Sequence, residues 1–332
     1  MEKNSKVYQD YVSILKEELL PAMGCTEPIA LAYAAAYARK TLGQLPDNVI
    51  IDVSGSIIKN VKSVIVPNTG DMRGLNVAAA AGIVAGNPDK KLEVIAEVSP
   101  SQIKEIREFA KNVPIKINHV ENGFMFDLMV TVYKGENYAK VRIVNNHTNI
   151  VLVEKDGKKL VNTGTALDKA KFTDRSILNM KDIWEFVNTL DVEDVKPLLA
   201  TQVKYNMAIA ERGIKENFGA NVGKTILAAF GDSVDNRARA MAAAGSDARM
   251  NGCEEPVVIN SGSGNQGITV SVPVVVYARE LKVSEDKLYR ALALANLTSI
   301  HEKTPIGVLS AYCGAVSAGA GAGAGIAYLS GG

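Results

Sequence analysis

The 332-residue chain has almost no net charge, few cysteines and no stretch that resembles a secretory signal. Its formal net charge is +1. A nucleic acid or an anionic membrane would attract a basic excess on one face, so neither is expected as a partner. Residues 1–20 have no apolar core behind a basic start, which predicts the absence of a signal peptide. We therefore expect a cytoplasmic protein with a small-molecule ligand.

Long hydrophobic runs are also scarce. The longest uncharged stretch, residues 304–332, is long enough to span a bilayer. Its Gly, Ala and Ser content makes it much less hydrophobic than a Leu, Ile and Val segment, so we expect no membrane partner.

The three cysteines, Cys25, Cys253 and Cys313, are widely spaced and odd in number. This argues against a disulfide framework and leaves inert buried thiols, a nucleophile or metal ligands. Cys25 stands directly before a helix predicted to begin at Thr26, and the positive end of a helix dipole favours a thiolate.

The residue patterns predict an α+β fold, with a mixed α/β N-terminal domain followed by a mostly α-helical catalytic domain. Residues 1–43 read as two N-terminal helices that carry Cys25 and pack on the helical domain. Residues 44–165 mix strands and helices, and residues 166–332 are nearly all helical. The linker is expected near residues 162–172.

Within residues 44–165 the pattern predicts both element types. The expected helices cover 75–86 and 99–113. The expected strands are 48–57, 61–66, 92–98 and 114–121, followed by an antiparallel meander over 124–161 with turns at KGEN and KDGK.

The stretch Ser310–Gly325 places Cys313 at the head of a run of Gly, Ala, Ser and Val. Residues this small let another backbone or a compact cofactor approach closely. We expect something to pack tightly against this run.

A second candidate site is the segment Ser261, Gly262, Ser263, Gly264, Asn265 and Gln266. Alternating glycines let successive N–H groups turn inward as a nest for a carboxylate or phosphate. The segment lacks the spacing and the βαβ context of nucleotide motifs, which excludes NTP and NAD. A plain flexible loop stays as the alternative.

Charged and titratable residues complete the set of candidates. Asp247 and Arg249 would be either a structural ion pair or a substrate clamp, since a guanidinium suits a carboxylate. His147 and His301 have polar neighbours in the sequence, although a lone histidine is usually structural. His119 is expected at a solvated strand end.

Six short motifs occur in one order along the whole chain: GCTEP (24–28), VPNTG (66–70), HTNI (147–150), AGSDARM (244–250), NSGSGNQGI (260–268) and SAYCGAVSAG (310–319). Together they closely resemble the L-cysteine desulfidase family, whose relatives include the iron–sulfur L-serine dehydratase alpha chain. The resemblance implies a [4Fe-4S] enzyme without pyridoxal phosphate that cleaves L-cysteine to pyruvate, ammonia and hydrogen sulfide. It also implies a homodimer.

The resemblance further implies roles for particular residues. Cys25 and Cys313 match cluster ligands, and an iron open to substrate would act as a Lewis acid. Proton transfer would fall to His147, His301 or Lys303. The substrate-binding positions that the motifs imply are Thr26, Glu27, Asn68, Thr69, Thr148, Asn149, Asp247, Arg249 and the segment from Ser261 to Gln266.

The family pattern places a third cysteine ligand in a segment beyond Gly332. We therefore expect the 332-residue form to bind iron poorly and to be inactive. Three alternatives stay open: an L-serine dehydratase of the same mechanism, a small-molecule binding or sensor protein without a cluster, and, less favoured, a thiol hydrolase that uses Cys25 and His147.

Overall fold

The computed structural model describes residues 1–24, 26–164, 172–306 and 314–332. The chain divides into two compact units, one formed by Met1–Ala22 with Asp168–Gly332 and the other by Met23–Leu167. The elements, in chain order, are α1 (Lys6–Glu18), β1 (Pro21–Met23), α2 (Thr26–Leu42), β2 (Asn48–Val53), α3 (Gly55–Val61), α4 (Leu75–Ala85), α5 (Pro100–Asn112), β3 (Ile115–His119), β4 (Asp127–Lys134), β5 (Asn137–Val144), β6 (Ile150–Lys155), β7 (Lys158–Asn162), α6 (Met180–Thr189), α7 (Lys196–Lys215), α8 (Val222–Phe230), α9 (Val234–Met250), β8 (Pro256–Val258), α10 (Gly264–Glu280), α11 (Glu285–Lys303) and α12 (Gly314–Ser330). The predicted α+β class, with a mixed N-terminal part and a helical C-terminal part, is confirmed.

The second unit is built on a six-stranded sheet with the order β3-β2-β4-β5-β6-β7. β2 and β3 are parallel, and the other neighbours are antiparallel. The predicted meander is therefore confirmed, including both of its turns. In the KDGK turn, Asp156 and Gly157 both have positive φ, which suits the right-handed twist of the hairpin.

Two segments predicted as strands are wrong, and the strand predicted over 48–57 ends at Val53 because residues 55–57 begin α3. Residues 61–66 contain the end of α3 and a loop, in which Ile65 pairs with Arg73 as an isolated bridge. Residues 92–98 contain the end of a short 3₁₀ helix and a turn. Their apolar side chains are buried at irregular spacings, because tertiary packing overrides the preference of a short apolar run for a strand.

The two N-terminal helices fall in different units. α2 is buried along most of its length and packs against α4, β4 and β5. The approach to α4 is close, since a Cβ on Gly82 would lie 2.1 Å from the Ala32 carbonyl oxygen. Of the linker predicted near 162–172, residues 165–171 lie outside the described part of the chain.

Helix α10 is the centre of the first unit, where it contacts α7, α9, α11 and α12. A helix surrounded by neighbours is apolar on most sides, and α10 is buried over most of its length. Its N-terminal end follows β8 and the predicted nest, so the nest is anchored to the best-packed helix of this unit.

The Gly/Ala run is described from residue 314 onward, where it forms helix α12. This helix packs closely, as expected from its small residues. Gly321 faces α11, and a Cβ there would lie 2.4 Å from the Ala295 carbonyl oxygen. Gly319 and Gly323 have open space at the position of a Cβ. One face of α12 therefore needs glycine and the other does not.

Tyr8 links α1 to the start of the helical part of the first unit. Its ring packs on Phe186, with 5.1 Å between centroids. Its hydroxyl donates to Asp194 Oδ2 at 2.6 Å and accepts from the backbone N–H of Asp191 at 3.1 Å. Burial, and then the bond to the Asp194 carboxylate, raise the pKa of Tyr8 to about 12.

We expect Tyr8 to make the stability of the protein fall between pH 10 and 12. The folded-state pKa lies above the unfolded value of about 10, so the stabilisation is complete below pH 10 and is lost as pH rises through 12. Denaturant unfolding across this range should show a weaker alkaline decline for Tyr8→Phe than for the wild type. Tyr37→Phe, a hydroxyl deletion in the other unit, should keep the wild-type decline; equal declines in all three proteins would contradict the assignment.

Candidate active site

A tight turn connects β8 to α10 and contains the start of the predicted nest. Asn260 and Ser263 exchange backbone hydrogen bonds of 3.1 and 3.0 Å. The two residues between them, Ser261 and Gly262, have φ of +48° and +79°. Two positive φ values in a two-residue loop are typical of a type I′ turn. The segment is therefore an ordered turn rather than a plain flexible loop.

The N-terminus of α10 carries the free donors of this site. The Ser263 side chain caps the helix by accepting from the N–H of Gln266 at 3.3 Å. Within the described residues, the N–H groups of Gly264 and Asn265 make no hydrogen bond, as is usual for the first turn of a helix. Together with the positive end of the helix dipole, they are donors of the kind that bind anions at helix N-termini, and a ligand here stays a prediction.

Arg249 lies against this helix end from the last turn of α9. Its side chain is 4% exposed, and a Cβ on Gly264 would lie 2.2 Å from its Nε. Nη1 donates to Asn265 Oδ1 at 3.0 Å and also contacts the Met250 sulfur at 3.6 Å. Within the described residues, Nε has no hydrogen-bond partner and no carboxylate forms an ion pair with the guanidinium. A buried charge left this way is costly unless a ligand neutralises it.

Asp247 does not pair with Arg249. Its carboxylate accepts from the N–H of Val222 at 2.8 Å, at the start of α8. Both residues belong to α9, where positions two apart point to different sides of the helix. The ion pair considered from the sequence is wrong for this reason, and a substrate-binding role for Asp247 stays a prediction.

A chain of buried amide side chains ends at this helix terminus. Gln202, Asn260 and Asn296 are fully buried, and Gln266 is 2% exposed. Asn296 bonds to Gln202 and Asn260, and Asn260 bonds to Gln266. Gln266 also donates to the Ser299 hydroxyl at 2.9 Å. Of these four residues, only Gln266 was predicted from the sequence as a site residue.

The signal for the missed residues is weak but present. Asn296 interrupts the apolar stretch ALALANL, and Gln202 and Asn206 are one helical turn apart on α7. Asn206 is also fully buried and holds the carbonyls of Val258 and Gly267 at 3.1 Å each. Polar residues at core positions of a helix indicate buried hydrogen bonds, although their partners are distant in sequence.

The last turn of α11 carries two of the predicted proton-transfer residues. Ser299 and Lys303 are one turn apart, so they share the helix face that contacts Gln266. Lys303 is 4% exposed, whereas His301 is half-buried and lies two positions from Ser299, on a different side. The structure therefore places Lys303, rather than His301, on the face of α11 that carries Ser299.

In the second unit, the predicted residues near the start of α2 and in the VPNTG loop make local contacts. Thr26 Oγ1 donates to Glu27 at 3.2 Å, and Asn60 donates to the same carboxylate at 3.2 Å. Asn68, with φ of +57°, donates to the Ile95 carbonyl at 2.9 Å. The buried Thr69 hydroxyl donates to Val66 at 2.6 Å. These bonds order the loop, and ligand contacts by its side chains stay a prediction.

His147, Thr148 and Asn149 form the connection between β5 and β6. The His147 ring is 2% exposed and meets the Phe126 ring edge-on at 4.8 Å between centroids. Asn149 donates to the Val144 carbonyl at 3.0 Å, and the Thr148 N–H bonds to Asn146 at 3.3 Å. His147 therefore lies in a packed, structurally defined turn. His119 lies at the end of β3 with its side chain 47% exposed, which agrees with a solvated strand end.

Comparison with known proteins decides which family this arrangement belongs to. The family model described as serine dehydratase alpha chain matches residues 89–332. The chain belongs to this family. Membership supports a dehydratase or lyase role.

Relatives with a similar sequence match nearly the whole chain. A UPF0597 protein of Desulfitobacterium hafniense is 53% identical over 334 residues, which cover 100% of this chain and 77% of that protein. UPF0597 proteins of Lachnoclostridium phytofermentans and Treponema denticola are each 47% identical, covering 98% and 100% of this chain and 78% and 79% of theirs. No solved structure matches the chain.

The cluster that the serine dehydratase alpha-chain family suggests would need cysteine ligands. Cys25 and Cys313 both lie outside the described residues, and within the described ranges no group of three His, Cys, Asp or Glu side chains could hold a metal ion. Thiolates are the usual ligands of iron–sulfur clusters, so this pair fits the group in its chemistry. The neighbouring backbone is also compact, since a Cβ on Gly24 would lie 2.1 Å from Pro67 Cγ.

Cys253 is a different kind of cysteine. It is 2% exposed, and burial raises the pKa of its thiol. A raised pKa disfavours the thiolate that metal binding requires. Cys253 therefore has the properties of an inert buried thiol.

None of the helices in the described ranges has the length and apolar character that a membrane span needs.

Proposed function

We propose that this chain catalyses β-elimination from a small α-amino acid, converting L-cysteine and water to pyruvate, ammonia and hydrogen sulfide. The observation that carries the proposal is Arg249, a buried guanidinium whose Nε has no hydrogen-bond partner among the described residues. It lies against the first turn of α10, where two N–H groups also make no hydrogen bond to any described residue. These donors suit the carboxylate that every α-amino acid carries.

The carboxylate would bind at the N-terminal end of α10. The guanidinium supplies charge, and the N–H groups of Gly264 and Asn265 supply directional donors. Since α10 is the central helix of its unit, this arrangement is preorganised and does not have to be assembled when substrate binds.

The elimination requires a proton acceptor near Cα. Removal of the Cα proton leaves an electron pair that forms the Cα–Cβ double bond as the Cβ–S bond breaks, and sulfur leaves with the bonding pair and a proton. The enamine product then takes up a proton and is hydrolysed by water to pyruvate and ammonia. We assign the proton transfer to Lys303, and its position one turn from Ser299 supports the assignment. His301 and His147 are the other candidates.

The cofactor in this proposal is a [4Fe-4S] cluster, with no pyridoxal phosphate. Cys25 and Cys313 would hold it, and when bound it would supply a Lewis acid for the leaving group. The described residues supply the rest: carboxylate binding by Arg249 and exclusion of water by the buried surroundings of α10. A cytoplasmic location and a homodimer belong to the same proposal.

L-serine is the second candidate substrate, because the matching family is described as serine dehydratase alpha chain. The same carboxylate site serves both amino acids, and the difference is whether hydroxide or sulfide leaves. Relative rates of pyruvate formation from the two amino acids distinguish the candidates.

In a form that spans the full length of its relatives, of which this chain covers 77% and 79% in two cases, we expect the anaerobically purified protein to release pyruvate from L-cysteine, with an equal amount of sulfide. Cys25→Ala and Cys313→Ala should each lose most of the bound iron and reduce turnover by at least about 100-fold. Loss of a group that only hydrogen-bonds to a metal ligand already lowers metal affinity or activity by about 10- to 100-fold, and loss of the ligand itself should cost more. Iron, labile sulfide and pyruvate would be measured on each variant.

Cys253→Ala is the matched control and should keep wild-type iron content and turnover. Turnover of neither amino acid by an iron-loaded wild type would contradict the proposed function. Equal iron in all three variants would contradict the ligand assignment alone.

A further inference from the structure

The amide of Gln266 is the last member of the buried amide chain, and its two ends are in different environments. Nε2 donates to Asn260 Oδ1 at 3.0 Å and to Ser299 Oγ at 2.9 Å. Within the described residues, Oε1 has no hydrogen-bond partner although it is buried. A buried acceptor left this way costs free energy, so it points to a missing donor.

The orientation of the Gln266 amide, meaning which end carries oxygen, is fixed by backbone carbonyls at the other end of the buried amide chain. Asn296 Nδ2 donates to the Leu292 carbonyl at 2.8 Å, and a carbonyl can only accept. The opposite end of the Asn296 amide, Oδ1, must therefore be the acceptor. It accepts from Gln202 Nε2 and from Asn260 Nδ2, each at 3.0 Å.

The same reasoning continues one amide further. Asn260 Nδ2 also faces the Asn296 backbone carbonyl at 3.4 Å, so Asn260 Oδ1 is the acceptor for its neighbours. Ser261 Oγ and Gln266 Nε2 both donate to it at 3.0 Å. Turning the Gln266 amide around would place two carbonyl oxygens face to face. Oε1 is thus held as an acceptor at the N-terminal end of α10.

The site therefore has two unsatisfied groups of opposite kind. Arg249 Nε is a donor on a cation, beside Gly264, and Gln266 Oε1 is a neutral acceptor two residues further along the first turn. Oε1 lies against Gly314, where a Cβ would be 2.2 Å away. An anion such as phosphate or a simple carboxylate would satisfy the donor only. A zwitterion would satisfy both.

We propose that Gln266 Oε1 accepts a hydrogen bond from the α-ammonium group of the substrate, so that the site selects α-amino acids over other small carboxylates. This inference rests on the proposed function and identifies how the ammonium is recognised. Gln266 is the binding residue, and Asn260 and Asn296 are positioning residues that fix its direction. A neutral oxygen suits this place, because a carboxylate would compete with the substrate for Arg249.

The test compares ligands that differ by one charged group. L-serine carries both groups, β-hydroxypropanoate lacks the ammonium, and ethanolamine lacks the carboxylate. Their dissociation constants would be measured calorimetrically on anaerobic wild-type protein, Gln266→Met and Gln266→Glu, with turnover of L-cysteine and L-serine recorded separately. The readout is the affinity ratio of L-serine to β-hydroxypropanoate.

We expect Gln266→Met to reduce this ratio by about 10- to 100-fold, the usual effect of a hydrogen bond to a charged group. Gln266→Glu keeps an oxygen acceptor and adds a negative charge beside the ammonium, so the ratio should increase. A purely structural role for Gln266 would weaken both ligands equally and leave the ratio unchanged, which would overturn the inference. If Gln266→Met does not fold, equal weakening of both ligands by Gln266→Glu overturns it instead.

The two proposals fail in different ways. Wild-type protein that neither binds nor converts either amino acid would overturn both the proposed function and the role of Gln266. Wild-type protein that converts an amino acid, with a ratio that Gln266→Met leaves unchanged, would overturn the role of Gln266 alone.

Discussion

Arg249→Met is expected to lose amino-acid binding while the ligand-free protein keeps its stability. The affinity for L-serine should fall by roughly 10- to 100-fold, because a charge-assisted hydrogen bond contributes about 1.5–3 kcal/mol. Ethanolamine, which has no carboxylate, should bind as it does to the wild type. Calorimetric titration gives the affinities, and thermal unfolding gives the stability.

The unusual part of this prediction is the unchanged or higher unfolding temperature. Arg249 is 4% exposed and forms no ion pair within the described residues, so folding places an uncompensated charge in the interior. Replacing such a group by an apolar side chain of similar length removes a desolvation cost. The Asn265 amide that loses its partner is half-buried and can bond to water instead.

Arg239→Met on the same helix is the matched control. Arg239 is 66% exposed and pairs with Asp235, so its loss should change neither ligand affinity nor stability by more than about 0.5 kcal/mol. If Arg249→Met instead unfolds at a clearly lower temperature and loses ethanolamine binding as well, the guanidinium is a structural element and not a ligand group.

Glycine-to-alanine changes two positions apart on α12 should have opposite effects on stability. A Cβ at Gly321 would lie 2.4 Å from the Ala295 carbonyl oxygen of α11, so Gly321→Ala must separate the two helices and should cost about 1–3 kcal/mol. A Cβ at Gly323 meets open space, and alanine is the better helix former there by about 0.5–1 kcal/mol. Denaturant unfolding of both variants measures the difference.

Gly319→Ala serves as a second test of the open face and should stabilise the protein by a similar amount. Destabilisation by Gly319→Ala and Gly323→Ala together would show that this face is covered in the folded protein. A neutral Gly321→Ala would show that α11 and α12 can move apart without cost.

The fold was predictable where one pattern dominated. The meander over β4 to β7 was predictable, because alternation and turn residues agree in the KGEN and KDGK hairpins. The structure of residues 61–66 was not predictable, because their β-branched run suggested a strand. In the structure Val61 instead ends α3, where it is buried one helical turn from Ile57. Local composition could not decide between these periods.

The turn at the candidate site was predictable, but its connections were not. Glycine and serine around residue 262 predicted the turn that the structure shows. Anion binding there and a clamp role for Arg249 stay predictions. The pairing of Asp247 depended on where α9 ends, because both residues lie within the helix and face different sides. The partners of Asn296 lie 94 and 36 positions away at Gln202 and Asn260, and no local pattern carries that information.

The hydrogen bonds of the buried amides run in one donor-to-acceptor direction, so a change in one amide constrains the others. Gln266 donates to Asn260, Asn260 donates to Asn296 and Asn296 donates to Gln202, so none of these amides can be turned around alone without leaving two like groups in contact. The effects of substitutions among the buried amides on stability are therefore strongly non-additive. A change at Asn296 alters which side chains are tolerated at Gln266, although the two side chains do not bond to each other. For the ligand site proposed at this helix end, changes of ligand preference are therefore limited by residues in the core, and not only by those that line the site.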